Sequence, residues 1–450
     1  MENIIVQLST YIFVILITIY TLYCFTVFRR SREQQNKVFR RQRMIMYTIH
    51  FLGHLILYMN TGSLTVAVLY ALELLMFIVM TALYQRVYKN LSRLVLNNML
   101  FLLSISFIML TRLNVSYAKR QLAIATGSLL ICLVVPVIID RFKVLRRFGW
   151  FYAAGGLCLL LLVFVFGVTK YGATNWVNIA GFVFQPSEVV KIVFVFFAAA
   201  LLAKSTEFID VVKVTVVAAV FVMVLVVEKD LGAALLYFTT YLIILYVASS
   251  NALYLFAGLG AGSAAAVVAY KLFAHVRVRV VAWKDPWGSI DNEGFQVAQS
   301  LLAIGSGGWF GMGLGKGLPT SIPVVESDFV FSAVAEEFGT IFAVCLILIS
   351  LSCFLMFVNI GMKLKQKFYK LVALGLSTVY IFQVFLTIGG ATKFIPSTGV
   401  TLPLVSYGGS SIISTIIIFS VIQGLYVLNQ DEEAEIESEE NEAIEEEYES

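Results

Sequence analysis

Residues 340–357 read TIFAVCLILISLSCFLMF, an unbroken run of 18 residues without a charge. An α-helix rises about 1.5 Å per residue, so roughly 20 such residues cross the hydrocarbon core of a bilayer. The run does not alternate between polar and apolar positions, as the strands of a membrane barrel do. This stretch therefore predicts a transmembrane helix.

Comparable runs recur along all 450 residues, which are 60% hydrophobic and 13% charged, with a mean hydropathy of +0.88. A typical soluble domain is roughly 45–50% apolar and about 25% charged. The composition excludes a soluble enzyme, a nucleic-acid-binding protein and a disordered chain. It predicts an all-α, polytopic membrane protein with about thirteen spans, near residues 5–27, 45–61, 64–84, 97–115, 120–140, 148–169, 188–204, 210–227, 231–249, 252–274, 333–357, 368–391 and 406–428.

The lysines and arginines of the short loops predict the orientation, because cytoplasmic loops are enriched in basic residues. One set of loops carries twenty of them and the opposite set eleven, so the richer set is expected inside. The N-terminus then lies outside and the C-terminus inside. Residues 431–449 hold twelve of the 28 acidic residues, and such a block repels itself. We therefore expect residues 429–450 to form a disordered cytoplasmic tail.

The outer loops carry the features of a functional site. Six of the seven prolines fall in outer segments or at their helix edges, and residues 275–332 form the long loop. Loops of this length are usually either functional or disordered. The low charge and the aromatic residues of this loop argue against disorder, so we expect any chemistry at the outer face.

Two charged residues stand at the start of the span predicted at 188–204. Glu188 and Lys191 are three residues apart and share a helix face, and ionisable groups in such a place normally line a cavity or pair with each other. An ordinary helix start with Pro186 in its first turn explains the segment equally well. Asp230 opens a later helix and could reach Lys191, although a solvated hairpin is the plainer interpretation.

The long loop offers candidate ligands for an anion or a sugar. Gln296, Gln299 and Ser306 lie in or beside a glycine-rich stretch, whose backbone N–H groups can approach a ligand closely. A flexible linker is the alternative, which the interleaved aromatic residues disfavour. Arg277 and Arg279 precede this stretch and could face a phosphate or serve as snorkelling anchors.

Further candidates follow in the last two outer segments. Asp328 precedes an aromatic run at a membrane boundary, where a carboxylate tends toward a raised pKa, as a general base requires. Capping of the next helix is the alternative role for Asp328. Glu336 and Glu337 lie further into that helix, where capping does not explain them. Ser410 belongs to a stretch of hydroxyls and glycines that suits a re-entrant segment or ordinary turns.

His50 and His54 are four residues apart on one helix face, which is also the spacing of metal or haem ligands. The neighbouring spans show no matching cluster of partners, so we expect helix-packing histidines that form hydrogen bonds. The five cysteines lie within apolar runs and are interpreted as small core residues.

Taken in order, five blocks resemble the SEDS family of membrane glycosyltransferases, of the FtsW, RodA and SpoVE type. The blocks are Trp176 through Lys191, Asp230-Leu231-Gly232, Asp285 through Gly317, Ser327 through Gly339 and Pro396 through Ser411. The resemblance covers roughly residues 93–428 and implies a core of ten spans with a large outer loop. Residues 1–92 would form a three-helix extension that the resemblance does not explain.

The resemblance implies that Asp328 is the catalytic base, with Ser327 in place of the family's usual threonine. The family usually has Pro-Glu-x-His before this motif, whereas residues 323–326 read PVVE here. The motif Gln-Pro-Ser-Glu-x-x-Lys is complete at residues 185–191. The implied reaction is the inverting polymerisation of lipid II at the outer leaflet of a bacterial plasma membrane, in elongation, division or sporulation.

The resemblance also implies a partner, a class B penicillin-binding protein that acts as a transpeptidase. A divalent cation such as Mg²⁺ could bridge carboxylates and the pyrophosphate, which Arg277, Arg279 and Lys191 would stabilise. A lipid II flippase and a non-catalytic scaffold for cell-wall synthases are the alternatives. Transporters usually place polar sites near the midplane, whereas this chain gathers them at one face, with Glu73 as an exception.

Overall fold

The computed structural model of the protein describes residues 2–141, 144–170, 173–179 and 182–449. The N-terminal extension has three helices, α1 (Glu2–Thr26), α2 (Arg32–Thr61) and α3 (Leu64–Val87). The chain continues with α4 (Arg93–Leu113), α5 (Val115–Cys132), α6 (Val135–Arg141), α7 (Gly149–Phe166), β1 (Gly167–Lys170), β2 (Ala173–Ile179) and β3 (Phe182–Phe184). It ends with α8 (Pro186–Lys204), α9 (Phe208–Val227), α10 (Leu231–Ser249), α11 (Ala252–Leu272), α12 (Ala274–Lys284), α13 (Phe295–Gly307), α14 (Val330–Phe338), α15 (Thr340–Lys363), α16 (Lys367–Ala391) and α17 (Gly409–Glu449).

Twelve helical segments within these described ranges are long and apolar enough to cross a membrane. They confirm the predicted polytopic helical fold. The thirteenth predicted span lies in α2, whose basic first half and two histidines lower its mean hydropathy. The span predicted at 120–140 is divided into α5 and α6, and Pro136 stands in the first turn of α6, where its missing N–H costs least.

A small antiparallel sheet departs from the all-α expectation. Strand β2 pairs with β1 on one side and with β3 on the other, with Val177 opposite both Gly167 and Phe184. Exposure alternates along the second half of β2, where Asn175 and Val177 are buried and Asn178 is exposed, as in a half-buried strand. The span predicted at 148–169 consequently ends at Phe166.

The C-terminal helix differs from the prediction of a disordered tail. Helix α17 continues for 41 residues to Glu449, through the acidic block. Glutamate and alanine have high helix propensity, and the preceding span supplies a formed helical end, which removes the cost of nucleation.

The extension packs along the rest of the molecule instead of standing apart from it. Helix α1 contacts α15, α2 contacts α4, and α3 contacts α5, so that α4 is buried along its whole apolar length. The Tyr20 hydroxyl donates to Asn98 Oδ1 at 3.0 Å, and Asn98 Nδ2 donates to Ser352 Oγ at 2.9 Å. One amide on α4 thereby joins the extension to α15.

The expectation that His50 and His54 have no clustered partner is wrong. Both imidazoles on α2 lie beside the buried carboxylate of Glu73 on α3. The sequence spacing did not reveal this group, because the carboxylate joins the histidines only when the two helices pack.

Candidate active site

Asp328 lies in the turn that leads into α14. Its Oδ1 accepts a hydrogen bond of 2.9 Å from the Ser327 hydroxyl. The residue is partly exposed, and burial of its carboxyl raises the pKa of Asp328. Glu326 also raises this pKa, whereas the Ser327 hydrogen bond and Arg279 lower it. Phe329 occupies the N-cap of α14 without a side-chain cap, so the capping interpretation of Asp328 is wrong.

Arg279 on α12 faces Asp328 across Gly399. A Cβ atom added at Gly399 would stand 3.5 Å from Arg279 Nη2 and 3.6 Å from Asp328 Oδ2. Arg279 Nη1 donates to the Ser397 carbonyl at 3.0 Å, which holds the guanidinium against this segment. Burial lowers the pKa of Arg279, while Asp328 and Asp230 raise it. The guanidinium stays charged, because its pKa starts far above neutrality.

Arg277, the other predicted arginine, does not share this position. Successive residues of a helix are turned by roughly 100°, so residues two apart point in nearly opposite directions. Arg279 is half-buried toward Asp328, whereas Arg277 is exposed. The structure therefore separates the two cations that were expected to face one phosphate, and a role for Arg277 stays a prediction.

The non-helical segment 396–408 joins the parts of the site. The Ser406 hydroxyl donates to the Ser327 carbonyl, and the Tyr407 N–H donates to the Glu326 carbonyl at 2.7 Å. On its other side the segment touches the start of α10, where a Cβ at Gly232 would lie only 2.9 Å from the Thr398 carbonyl oxygen. Asp328 and the N-terminus of α10 are thus held against the same stretch of backbone.

Asp230 is the N-cap of α10, and its Oδ1 accepts from the Ala233 N–H at 3.1 Å. Its Oδ2 accepts from three side chains, which are Asn175 Nδ2 at 2.9 Å, Gln185 Nε2 at 2.8 Å and Ser187 Oγ at 3.2 Å. These partners replace the predicted contact with Lys191. Asp230 therefore ties the sheet and the start of α8 to α10.

The predicted pairing of Glu188 and Lys191 is present. Lys191 Nζ lies 2.6 Å from Glu188 Oε2 and donates to Gln383 Oε1 at 2.8 Å. Glu188 Oε2 also accepts from the Ser414 hydroxyl at 2.8 Å. The pair thus bridges α8, α16 and α17. Ser410, another predicted ligand, uses its Oγ to accept from the Gln185 N–H at 2.9 Å.

The predicted ligands of the long loop make local contacts. Gln296 is exposed on α13, and Gln299 Oε1 receives a long contact of 3.5 Å from Ser321 Oγ. The Ser306 hydroxyl donates within its own helix to the Ala303 carbonyl at 2.9 Å. The binding roles of Gln296, Gln299 and Ser306 stay predictions.

Two of the loop glycines pack closely against α14, and a role of the glycine-rich stretch in binding an anion stays a prediction. The Gly313 N–H donates to the Glu337 carbonyl at 3.0 Å, and a Cβ at Gly307 would lie 2.1 Å from the Ala335 carbonyl oxygen. The glycines therefore let the loop backbone approach α14, and the backbone N–H of Gly313 is occupied there.

Glu336 and Glu337 anchor the same loop. Glu336 Oε1 accepts from the Leu318 N–H at 2.9 Å, and Glu337 Oε1 pairs with Arg112 Nε at 2.9 Å. Arg112 Nη2 also donates to the Gly317 carbonyl at 3.1 Å. These contacts give the two carboxylates a structural role. Arg112 was missed, although a lone cation at the end of the apolar run of α4 was a signal for a buried partner.

Glu228 is a second residue that the sequence did not single out. Its side chain is 2% exposed between α9 and α10, and neither carboxylate oxygen has a hydrogen-bond partner within the described ranges. Burial, together with the nearby charge of Asp230, raises its pKa to about 8. Glu228 is therefore largely protonated at neutral pH.

These features define an integral membrane protein whose polar site is built from the segments between its spans at one face. The sequence model of FtsW, RodA and SpoVE proteins, described as cell cycle protein, matches residues 85–430. The chain belongs to this family.

Individual relatives agree with this assignment. The chain is 33% identical over 323 residues to the peptidoglycan glycosyltransferase RodA of Mycobacterium tuberculosis (strain ATCC 25618 / H37Rv), covering 68% of this chain and 69% of the relative. It is 32% identical over 305 residues to the probable peptidoglycan glycosyltransferase FtsW of Geobacter sulfurreducens (strain ATCC 51573 / DSM 12127 / PCA), covering 64% and 80% of the two chains.

Solved structures share the fold. A chain of a peptidoglycan synthase complex that coordinates polymerization and crosslinking superposes with a TM-score of 0.63 at 24% identity, covering 76% of this chain and 98% of that chain. Thermus thermophilus RodA, a rod shape determining protein, gives a TM-score of 0.56 at 23% identity, covering 75% and 96%.

Proposed function

We propose that this membrane protein polymerises peptidoglycan from lipid II at the outer leaflet of a bacterial plasma membrane, with Asp328 as general base. Its glycosyltransferase class follows from its family and from relatives that carry this activity in their names. The observation that carries the site assignment is the facing pair of Asp328 and Arg279, with Gly399 between them.

Asp328 takes the proton of the acceptor sugar hydroxyl. The hydroxyl oxygen attacks the anomeric carbon of the donor, the new glycosidic bond forms, and the bond to the pyrophosphate oxygen breaks with its electron pair. A raised pKa suits this role, because a base is most effective when its pKa lies near the working pH. The resemblance implies inversion, from an α-linked donor to a β-linked product.

Arg279 stabilises the negative charge that develops on the departing pyrophosphate. A guanidinium offers several N–H donors in a fixed plane, and the Ser397 carbonyl occupies only Nη1. Lys191 acts less directly, because Glu188 and Gln383 already hold its ammonium group. We assign Lys191 to holding α8 against α16.

Within the part of the chain that the structure describes, no cluster of three His, Cys, Asp or Glu side chains lies at Asp328. Arg279 already supplies positive charge beside the carboxylate, and the oxygens of Asp230 accept four hydrogen bonds. The mechanism therefore contains no step through Mg²⁺.

The proposed partner is a class B penicillin-binding protein, because a structural neighbour belongs to a synthase complex that both polymerises and crosslinks peptidoglycan. The proposed orientation places the N-terminus and the loop 275–332 outside, in line with the distribution of basic residues. The site then lies beside the head group of a lipid-anchored substrate.

Purified Asp328→Asn, assayed with lipid II and the transpeptidase partner, tests the assignment. The amide keeps the size of the side chain but cannot accept the proton, so glycan synthesis should fall at least about 100-fold while folding and partner binding persist. Asp291→Asn, at an exposed position of the same long loop, is the matched control. Polymerisation by Asp328→Asn close to the parental rate would remove Asp328 as the base.

The alternatives predict different results. A flippase would move labelled lipid II across vesicle membranes, and neither the parent nor Asp328→Asn would make glycan. A scaffold would leave polymerisation unaffected by Asp328→Asn as long as its partner enzymes are present.

A further inference from the structure

The extension contains a cluster of buried polar side chains that the proposed glycosyl transfer does not use. Helices α2 and α3 form a hairpin that turns at Gly62, which adopts a left-handed conformation with φ of 63°. His50 and His54 project from α2 toward Glu73 on α3. Their side chains are 0%, 2% and 0% exposed, respectively.

The two imidazoles converge on one oxygen. Glu73 Oε2 lies 3.2 Å from His50 Nε2 and 3.1 Å from His54 Nε2. These are ion-pair distances, yet none of the three buried atoms makes a well-aligned hydrogen bond within the described ranges. A hydrogen bond weakens steeply when it is bent, so these contacts satisfy the three atoms poorly.

The hydrogen bond on the far side of one ring fixes its tautomer. His54 Nδ1 lies 3.1 Å from the His50 carbonyl oxygen, which can only accept, so Nδ1 carries the proton. In the neutral ring Nε2 then presents a lone pair toward the carboxylate. A metal-binding histidine usually donates its other ring N–H to a carboxylate, a backbone carbonyl or a water molecule.

The cluster therefore brings a lone pair of His54 and the negative charge of Glu73 together in a buried place, with the His50 imidazole beside them. A buried carboxylate is costly unless a positive charge compensates it. Among the described residues, the ion-pair partners of Glu73 are these two histidines, and no lysine or arginine joins them. A cation held between the three side chains would satisfy the lone pairs and the carboxylate together.

The spacing suits Zn²⁺. Two donors bound to one zinc at about 2.0–2.1 Å and at a tetrahedral angle stand roughly 3.3 Å apart. The observed separations of 3.1 and 3.2 Å between Glu73 Oε2 and the two Nε2 atoms agree with this edge length. Imidazole nitrogen with one carboxylate is a common zinc donor set, whereas Ca²⁺ and Mg²⁺ prefer oxygen donors alone.

We propose that His50, His54 and Glu73 bind one divalent transition-metal ion of the zinc type, which clamps α2 to α3 in the N-terminal extension. The site is separate from Asp328 and independent of the proposed catalytic role. A single shared proton, giving a histidinium beside the carboxylate, is the competing occupant.

Metal content of the purified full-length protein tests the proposal. After loading with Zn²⁺ and removal of free metal, elemental analysis should find about one zinc per chain. His54→Gln and Glu73→Gln should each lower this content at least several-fold, because each removes one ligand while keeping a polar side chain. His275→Gln is the matched control, since His275 is the third of the three histidines and lies on α12, and it should retain the parental content.

A spectroscopic measurement on the unmutated protein keeps the proposal testable if a variant fails to fold. Co²⁺ should give the intense visible ligand-field absorption of a tetrahedral site, and one equivalent of Zn²⁺ should abolish it. A protein that holds no zinc and gives no such absorption would overturn the proposal in favour of the shared proton. Equal zinc content in Glu73→Gln and the parent would also overturn it.

Discussion

At the scale of single residues, Gly399 lies between the candidate base and its neighbouring cation. With φ of 73° it adopts a conformation that L-residues avoid, at a cost of roughly 1–2 kcal/mol. A methyl group at Gly399 would also enter the space between Arg279 and Asp328. We expect Gly399→Ala to lower polymerisation at least about tenfold in the purified lipid II assay, because misplacement at a reacting centre is costly.

The variant Gly62→Ala is the control that distinguishes the effect of the added methyl group beside Asp328 from the effect of backbone strain. Gly62 has a φ of 63° and no atom within 4 Å of an added Cβ, so alanine there introduces similar strain far from any crowded neighbour. Comparable loss of activity in both variants would mean that strain, and not the space beside Asp328, explains the effect of Gly399→Ala.

Glu228 should make the stability of the protein depend on pH. Its pKa of about 8 in the folded state lies above the ordinary value of 4.5, so the folded protein binds its proton more tightly. The stabilising effect is complete below about pH 4.5 and is lost as the pH rises through 8. Each unit of pKa difference corresponds to about 1.4 kcal/mol. The free energy of unfolding should therefore fall by several kcal/mol as the pH rises over this interval.

The expected result is a change in thermal unfolding with pH. From about pH 5 to pH 8.5, the melting temperature of the parent in detergent should fall relative to that of Glu228→Gln, which cannot ionise. Glu207→Gln, at an exposed carboxyl before α9, should follow the parent. Parallel curves for the parent and Glu228→Gln would show that this carboxyl does not titrate differently in the folded state.

At the scale of helices, the buried pair Glu188–Lys191 fastens α8 to α16 and α17. Removing one partner of a buried ion pair costs about 3–5 kcal/mol, because the other charge is left alone. Glu188→Gln and Lys191→Met should each impair thermal stability, and the double variant should cost less than the sum of the two.

An exposed pair with a similar spacing provides the control. Asp210 and Lys213 on α9 are also three residues apart, at 3.0 Å, but their side chains are 37% and 56% exposed. Exposed pairs contribute about 0–1 kcal/mol, so the same double-mutant cycle should be nearly additive there. Strict additivity at Glu188 and Lys191 as well would mean that the two groups do not interact.

The sequence was sufficient for features that depend on local pattern. Long apolar runs predicted the spans, and the three-residue spacing predicted that Glu188 and Lys191 meet. It was insufficient where distant segments decide the contact. Neither the approach of Arg279 to Asp328 nor the position of Glu73 beside the histidines can be derived from spacing, because each depends on how separate elements pack. The contacts of the loop glycines likewise could not be predicted, because they depend on the packing of α14 against the loop.

At the scale of the whole molecule, the extension is part of the folded unit. Helix α4 is buried along its apolar length, and α2 covers one side of it. Asn97 Nδ2 donates to the Phe39 carbonyl at 3.1 Å and to Gln42 Oε1 at 3.2 Å. Loss of the extension would leave these polar groups of α4 facing lipid, where unsatisfied hydrogen bonds are expensive.

We therefore expect a protein that starts at residue 93 to accumulate poorly in membranes and to lose its cooperative thermal transition. Co-expression of residues 1–92 as a separate chain should restore both properties. Deletion of residues 431–450 serves as the control for truncation as such. A stable, well-folded protein beginning at residue 93 would show that the extension is dispensable for the fold.

The hydrogen bond between Asn98 and Ser352 also has a consequence for the order of events during synthesis. The two residues are 254 positions apart, and Asn60 of the extension donates to the Leu314 carbonyl across the same interval of 254. At about 5–20 residues per second, the ribosome delivers these later partners roughly 13–50 s after the earlier ones. During that wait Tyr20, already inserted, can occupy the Asn98 amide oxygen. The first three helices thus cover polar groups of α4 before the remainder of the chain has been synthesised.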